Sequence, residues 1–295
     1  MDRNTGIGSS LISLGLLLAG PLAAAPITLF STGNPNGSFA ALSRPASGSL
    51  LETEVADDFI LGLNALVSGA TFTGLLPPGA SLSTIQNVEL ELYHVFPSDS
   101  VNPPDGRVPT RTNSPSDSQF AAFDEGAGDI SVTASVLNSS FTAANSVVNG
   151  IHPIPNQTTG GEGAVTGEEV LFTIHFNSPF LVGATDHDFF RPEVGLSSGN
   201  FLWLSAPKPI VSPGTPFTPD LQAWTRNANL NPDWLRIGTD IVGGTTPTTF
   251  NMTFSLTGTV VPEPSSLLFV GAGFATLILV RRKRRTVRTI SRVRS

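Results

Sequence analysis

Val88-Glu89-Leu90-Glu91-Leu92-Tyr93-His94-Val95 alternates apolar and polar residues along its length. Successive side chains of an extended chain point to opposite faces. Val88, Leu90 and Leu92 therefore share one face, and Glu89, Glu91 and Tyr93 the other. The spacing predicts a half-buried β-strand. Similar β-rich runs recur outward in both directions. Upstream lie Glu52 to Leu61 and Val67 to Leu76. Downstream lie Ile130 to Leu137, Val170 to Phe176, Phe189 to Leu196, Phe201 to Ser205, Trp234 to Ile241 and Asn251 to Val260. Turn-forming clusters separate these runs. No long segment repeats with the helical period. The 29 Gly and 24 Pro among 295 residues suit many turns. The fold class expected is all-β, with a β-sandwich as the most economical architecture.

Three Pro- or Gly-rich stretches read as long loops: 97–118, 149–169 and 206–219. Loops of that length are functional or mobile, and they leave open a division into two subdomains near residue 110 or 155. Cysteine is absent, which excludes a disulfide framework, a thiolate metal site and a cysteine nucleophile. Charge is divided along the chain. Residues 25–261 hold 21 acids and 7 bases, whereas the last 15 residues hold eight bases and no acid. An acidic body repels phosphate, so nucleic acid is not an expected partner.

Both ends read as targeting segments. Arg3 precedes the apolar run Leu11 to Leu22, and Ala23-Ala24-Ala25 follows it. Twelve residues rise only ~18 Å as a helix, short of the ~30 Å hydrocarbon layer. The order of basic start, short apolar core and small residues predicts a signal peptide over 1–24, removed by signal peptidase. At the other end, Leu267 to Val280 carries no charge, and Arg281, Arg282, Lys283, Arg284 and Arg285 stop it abruptly. A transmembrane helix is expected over 265–280, with those five residues as the membrane stop on the cytoplasmic side. Residues 286–295 then form a basic cytoplasmic tail, and 25–259 an extracytoplasmic β-rich domain.

Immediately before the apolar run stands Val261-Pro262-Glu263-Pro264-Ser265-Ser266. The order Pro-Glu-Pro, short apolar stretch with Gly271-Ala272-Gly273, and basic end resembles the PEP-CTERM sorting signal of bacterial exported proteins, over residues 260–285. The ten residues after Arg285 make the tail longer than is usual for that family. The resemblance implies recognition by an exosortase, a membrane-embedded cysteine peptidase of Gram-negative-type bacteria that make extracellular polysaccharide. By the same resemblance, Pro262, Glu263 and Pro264 are the recognition residues. Two prolines also hold the backbone extended and oppose a helical start at Glu263, which suits a peptidase substrate. The implied route is export through the inner membrane, transient anchoring with the body outside, and release to the cell surface or beyond. A second resemblance is narrower. Glu54 to Leu61 followed by Ser68 to Gly74 looks like openings of bacterial secreted β-sandwich domains, which supports the fold and assigns no activity.

The body offers little chemistry. Asp57 and Asp58 are adjacent in a strand pattern, so their carboxylates diverge, and a strand-end turn is expected there. Asp186 and Asp188 share a face if extended and are the candidate ligands for Ca2+, although no calcium-loop spacing surrounds them. Otherwise no cofactor is expected. Four histidines show no paired metal spacing. Glu89 and Glu91 stand roughly 6.5–7 Å apart on one strand face, a distance that suits a glycosidase pair, but a solvated strand face is the expected reading. No Gly-x-Ser-x-Gly elbow is present. Trp203, in Phe-Leu-Trp-Leu, is expected in the core. Trp224 and Trp234 lie among Asn, Gln and Arg and are the candidate ligand-binding residues, as platforms for sugar rings. The expectation is a non-enzymatic surface or matrix protein associated with exopolysaccharide. A carbohydrate-binding module is the alternative, and a secreted hydrolase is third.

Overall fold

The computed structural model describes residues 25–100, 106–151, 157–246 and 248–262. The expected signal peptide, transmembrane helix, membrane stop and basic tail lie outside them. Among the described residues no helix is long and apolar enough to cross a membrane.

The described residues are predominantly β, in two sheets. In chain order the strands are β1 (Ile27–Ser31), β2 (Phe39–Leu42), β3 (Thr53–Phe59), β4 (Ala65–Leu76), β5 (Ile85–Val95), β6 (Pro115–Asp124), β7 (Ile130–Ala143) and β8 (Asn145–Val147). There follow β9 (Val165–Val182), β10 (Asp188–Leu196), β11 (Leu202–Ala206), β12 (Trp224–Asn227), β13 (Leu235–Arg236), β14 (Asn251–Met252) and β15 (Phe254–Val260). One sheet has six strands in the order β13-β12-β3-β10-β5-β6. The other has nine and is built around β4. β9 and then β7 extend from one edge of β4. β15 and β11 share the opposite edge, leading to β1 and to β2-β8 respectively. Every pairing is antiparallel except β2 with β8. Strands from either side of residues 110 and 155 share both sheets, so neither position divides the body.

The alternation in 88–95 does what the sequence predicts. Val88, Leu90 and Leu92 are buried between the sheets. Phe190 and Val194 of β10 and Val55 and Phe59 of β3 join them. Phe72, Phe172, Phe254 and Trp203 face them from the nine-stranded sheet. Phe190 stacks on Phe254 at 5.0 Å and meets Trp203 edge-on at 6.1 Å, so aromatic contacts span the two layers. The Trp203 indole donates to the Thr253 carbonyl at 2.8 Å, which satisfies its buried N–H.

Three expectations need correction. Trp234 to Ile241 forms only the two-residue β13 before a π-helical turn over Ile237–Val242. The Asp240 carboxylate accepts from the Arg236 amide at 2.8 Å and pairs with its guanidinium, which diverts the backbone from a ladder. Two of the expected loops end early: 165–169 is the start of β9, and Pro115 to Asp124, part of which was expected as loop, is the edge strand β6. Its opening proline stands opposite Val95 of β5 and, at the start of an edge strand, has no N–H to leave unpaired. Asp57 and Asp58 lie inside β3 rather than at a strand-end turn, and both are buried. Asp57 faces between the sheets and accepts from the Met252 amide of β14 at 2.8 Å. Asp58 points to the opposite face and accepts from His187 Nε2 at 2.6 Å and from the Leu221 amide.

Candidate functional site

Two places carry functional chemistry: the exit of the chain from the sheet and the outer face of the six-stranded sheet. At the exit, β15 lies between β1 and β4 and pairs with β4 from Phe254 to Val260. The Val261 amide still donates to the Asn64 carbonyl at 2.8 Å. Pro262 follows at once and is exposed. The first residue of the Pro-Glu-Pro segment thus stands directly against the folded body, with no linker. Glu263, Pro264 and the basic residues Arg281, Arg282, Lys283, Arg284 and Arg285 lie outside the described residues.

On the outer face of the six-stranded sheet, Glu54 of β3 sits between two guanidiniums. Arg191 of β10 donates to its Oε1 through Nε at 2.8 Å and Nη2 at 2.7 Å. Arg226 of β12 donates through Nη2 at 3.1 Å and through Nε to the other oxygen. The Tyr93 hydroxyl accepts from Arg226 at 3.0 Å and donates to Glu91. Arg191 also reaches Glu52 and Glu193, each at 3.0 Å. Burial opposes the charge on Glu54, but Arg191 and Arg226 outweigh it and hold its carboxyl below the usual range. Glu193 goes the other way. Burial first, then the negative charge of Glu54, Glu52 and Glu89, outweigh Arg191 and push its carboxyl well up. The expected solvated face of β5 is therefore half built over, with Tyr93 1% exposed. Glu89 accepts from Asn87 at 3.0 Å, while Glu91 is engaged by Tyr93 and Arg191, so the two carboxylates are tied to different partners. The arrangement locks three adjacent strands together.

Trp224 and Trp234 belong to this same face. Both are buried, at 2% and 0% exposure, so neither presents an open ring to a sugar. Arg226 lies 4.3 Å over Trp234, and Tyr93 meets that indole edge-on at 5.5 Å. Arg236 stands 5.9 Å from Trp224. Their Asn- and Arg-rich context reflects burial beside cations rather than exposure.

Asp186 and Asp188 also part company. Asp186 caps its own turn, accepting from the Gly183 amide at 2.7 Å. Asp188, 1% exposed, meets His94 Nδ1 at 2.7 Å across the β5–β10 ladder. Burial pushes the Asp188 carboxyl up, partly offset by His94. His94, His187 and Asp186 line an open cavity of about 330 Å3 at this end of the sheet. Among the described residues no group of three His, Asp or Glu has the geometry to hold a metal ion.

Sequence reasoning missed the Glu54–Arg191–Arg226 network. Its members come from three strands up to 172 positions apart. β3 and β10 taken alone show ordinary polar alternation and β12 reads as loop, so no single strand signals the network.

Residues 260–285 match the PEP-CTERM protein-sorting motif. The chain therefore carries the C-terminal sorting signal of an exported protein handled by an exosortase. No curated protein and no solved structure matches the chain.

Proposed function

With the sorting signal at residues 260–285 as premise, we propose that this chain is a non-enzymatic surface or matrix protein associated with extracellular polysaccharide. It is exported after removal of its signal peptide, held in the inner membrane by its C-terminal span, and cut by an exosortase. The β-sandwich body is the part delivered, and it works without a cofactor. The observation that carries this reading is the Pro-Glu-Pro segment, apolar stretch and basic end following directly on the last strand. In support, Glu54, Asp57, Asp58, Asp188 and Asp240, all buried, are engaged by arginine, histidine or backbone partners, which suits a structural role.

Mass spectrometry of the native protein from its own host tests the processing. The expected C-terminus lies between Pro262 and Ser266, with the apolar stretch and arginines gone. The triple variant Pro262→Ala, Glu263→Ala, Pro264→Ala is expected to accumulate uncut in the membrane fraction. A native chain ending at Ser295 would overturn the processing. Turnover of a polysaccharide, abolished by one carboxylate substitution, would overturn the non-enzymatic reading.

A further inference from the structure

Part of the outer face of the nine-stranded sheet, the stretch crossing β7, β9, β4, β15 and β1 on the side of Leu171 away from Glu169, is uncharged and rich in hydroxyls. The strand register lines them up in rows. One row runs Thr133, Thr173, Thr71, Ser255 and Ser31 across β7, β9, β4, β15 and β1. The next runs Ser131, His175, Gly69, Thr257 and Thr28 across the same five strands. Ser135, Leu171 and Thr73 begin a third. Thr133, Thr173, Ser131, His175 and Thr28 are exposed, and Thr71, Ser255, Ser31 and Thr257 half-buried. Four strand steps make each full row about 19 Å long, with about 7 Å between rows. No Asp, Glu, Lys or Arg stands in any of the three. Toward one side the face deepens into a groove of about 330 Å3, lined by Thr28, Ser31, Asn34, Thr71, Leu171 and Ser255 among others. The loop after β11 forms part of its wall through Pro213, held there by the Thr215 amide donating to the Ser31 carbonyl at 2.7 Å.

We propose that this face and groove bind a neutral polysaccharide chain laid across the strands. The proposal rests on the reading above that the mature protein associates with extracellular polysaccharide, and it names the surface and the polymer class. Hydroxyl rows offer paired donors and acceptors to sugar hydroxyls. Leu171 and Pro213 offer a small apolar patch to a ring face. Charge favours an uncharged polymer. The body carries 21 acids against 7 bases and repels polyanions, while this face has no cation to attract one. A second copy of the chain fits poorly, because a hydroxyl surface lacks the apolar centre of a stable interface. Strand-to-strand twist of about 20–25° also curves the face, and a flexible chain can follow that curve.

Affinity electrophoresis of the mature protein tests this, with gels containing the host's own exopolysaccharide, dextran as neutral probe, or alginate as polyanion. The wild type is expected to be retarded by the host polymer and dextran and not by alginate. The variant Thr71→Val, Thr173→Val, Ser255→Ala removes three hydroxyls of one row at little cost in shape. It is expected to bind about tenfold more weakly or worse, with unchanged near-ultraviolet dichroism. Should that variant misfold, Thr173→Lys at an exposed position blocks the row alone, with the same loss expected. Retardation equal to wild type in a folded variant would refute this surface while leaving polysaccharide association intact. Retardation by alginate alone would refute the neutral partner. No retardation by any polymer, the host's included, would sink both the surface and the association.

Discussion

Replacing Glu54 by alanine is expected to destabilise the body by about 3–5 kcal/mol, the range for breaking a buried ion pair by removing one partner. Glu54 is 2% exposed and is the carboxylate shared by Arg191 and Arg226, themselves 2% and 5% exposed. Its loss takes from two buried cations the carboxylate that stands between them. Glu52 and Glu91 still reach Arg191, and Tyr93 still accepts from Arg226, so the residue of pairing falls mainly on Arg191. Arg226 is left most exposed to the penalty. Guanidinium unfolding followed by tryptophan fluorescence measures the loss, since Trp234 packs under Arg226. A loss below about 1 kcal/mol, the scale of a surface pair, would show that the network is not the lock described above. Replacing Glu54 and Arg226 together with apolar residues of similar volume, with Arg191 kept for Glu52, Glu91 and Glu193, is expected to cost less than Glu54→Ala, because the Arg226 guanidinium is then not left buried without a carboxylate.

The second large effect is in pH. Asp57, Asp58, Asp188 and Glu193 all have carboxyls pushed up, burial being the first cause in each. A group whose folded pKa exceeds its unfolded value of about 4 favours the folded state fully below that value. The contribution is lost as pH rises through the folded pKa. Glu54 has the opposite sign. Its contribution is present above the unfolded pKa and is lost as pH falls through its lower folded one. Glu52, Glu125 and Glu169 are raised as well, so the raised carboxyls outnumber the lowered one and the melting temperature is expected to rise as pH is lowered from 8 to 5. Each of the four first named contributes about 1.4 kcal/mol per pH unit while it titrates. The double variant Asp57→Asn, Glu193→Gln is expected to melt higher than wild type at pH 8 and to show a flatter profile. The amide oxygen introduced at position 57 still accepts from the Met252 amide, so the link between sheets survives. A wild-type profile that falls on acidification, or a double variant with the same slope as wild type, would contradict these assignments.

Legibility from sequence divides by how local the signal is. β3, β4, β5, β9, β10, β11 and β15 could be read because they alternate or carry β-branched and aromatic runs. β2 (Phe39-Ala40-Ala41-Leu42) could not, because all four residues are buried and no alternation survives. β8 is three residues long, and β12 opens on Trp224 in a polar context that reads as loop. The sorting segment was plain because its parts are contiguous in the chain. The arginine network was invisible because Glu54, Tyr93, Arg191 and Arg226 meet only after strands distant in sequence pair. The same reason inverted the expectation for Trp224 and Trp234: hydrophilic neighbours in sequence became packed cations in space. The hydroxyl rows are a matter of register, and no single strand displays them.

The position of β15 has a mechanical consequence. Its C-terminal end leads straight to the sorting signal at residues 260–285, and it is clasped by β1 on one side and β4 on the other. A pull on that end while the chain is still anchored, as proposed above, runs along the strand axis. It loads both ladders in shear, so many backbone hydrogen bonds must yield together rather than one after another as in peeling. A body dragged by flow or by a polymer caught on its outer face would transmit that force through the strand best placed to withstand it.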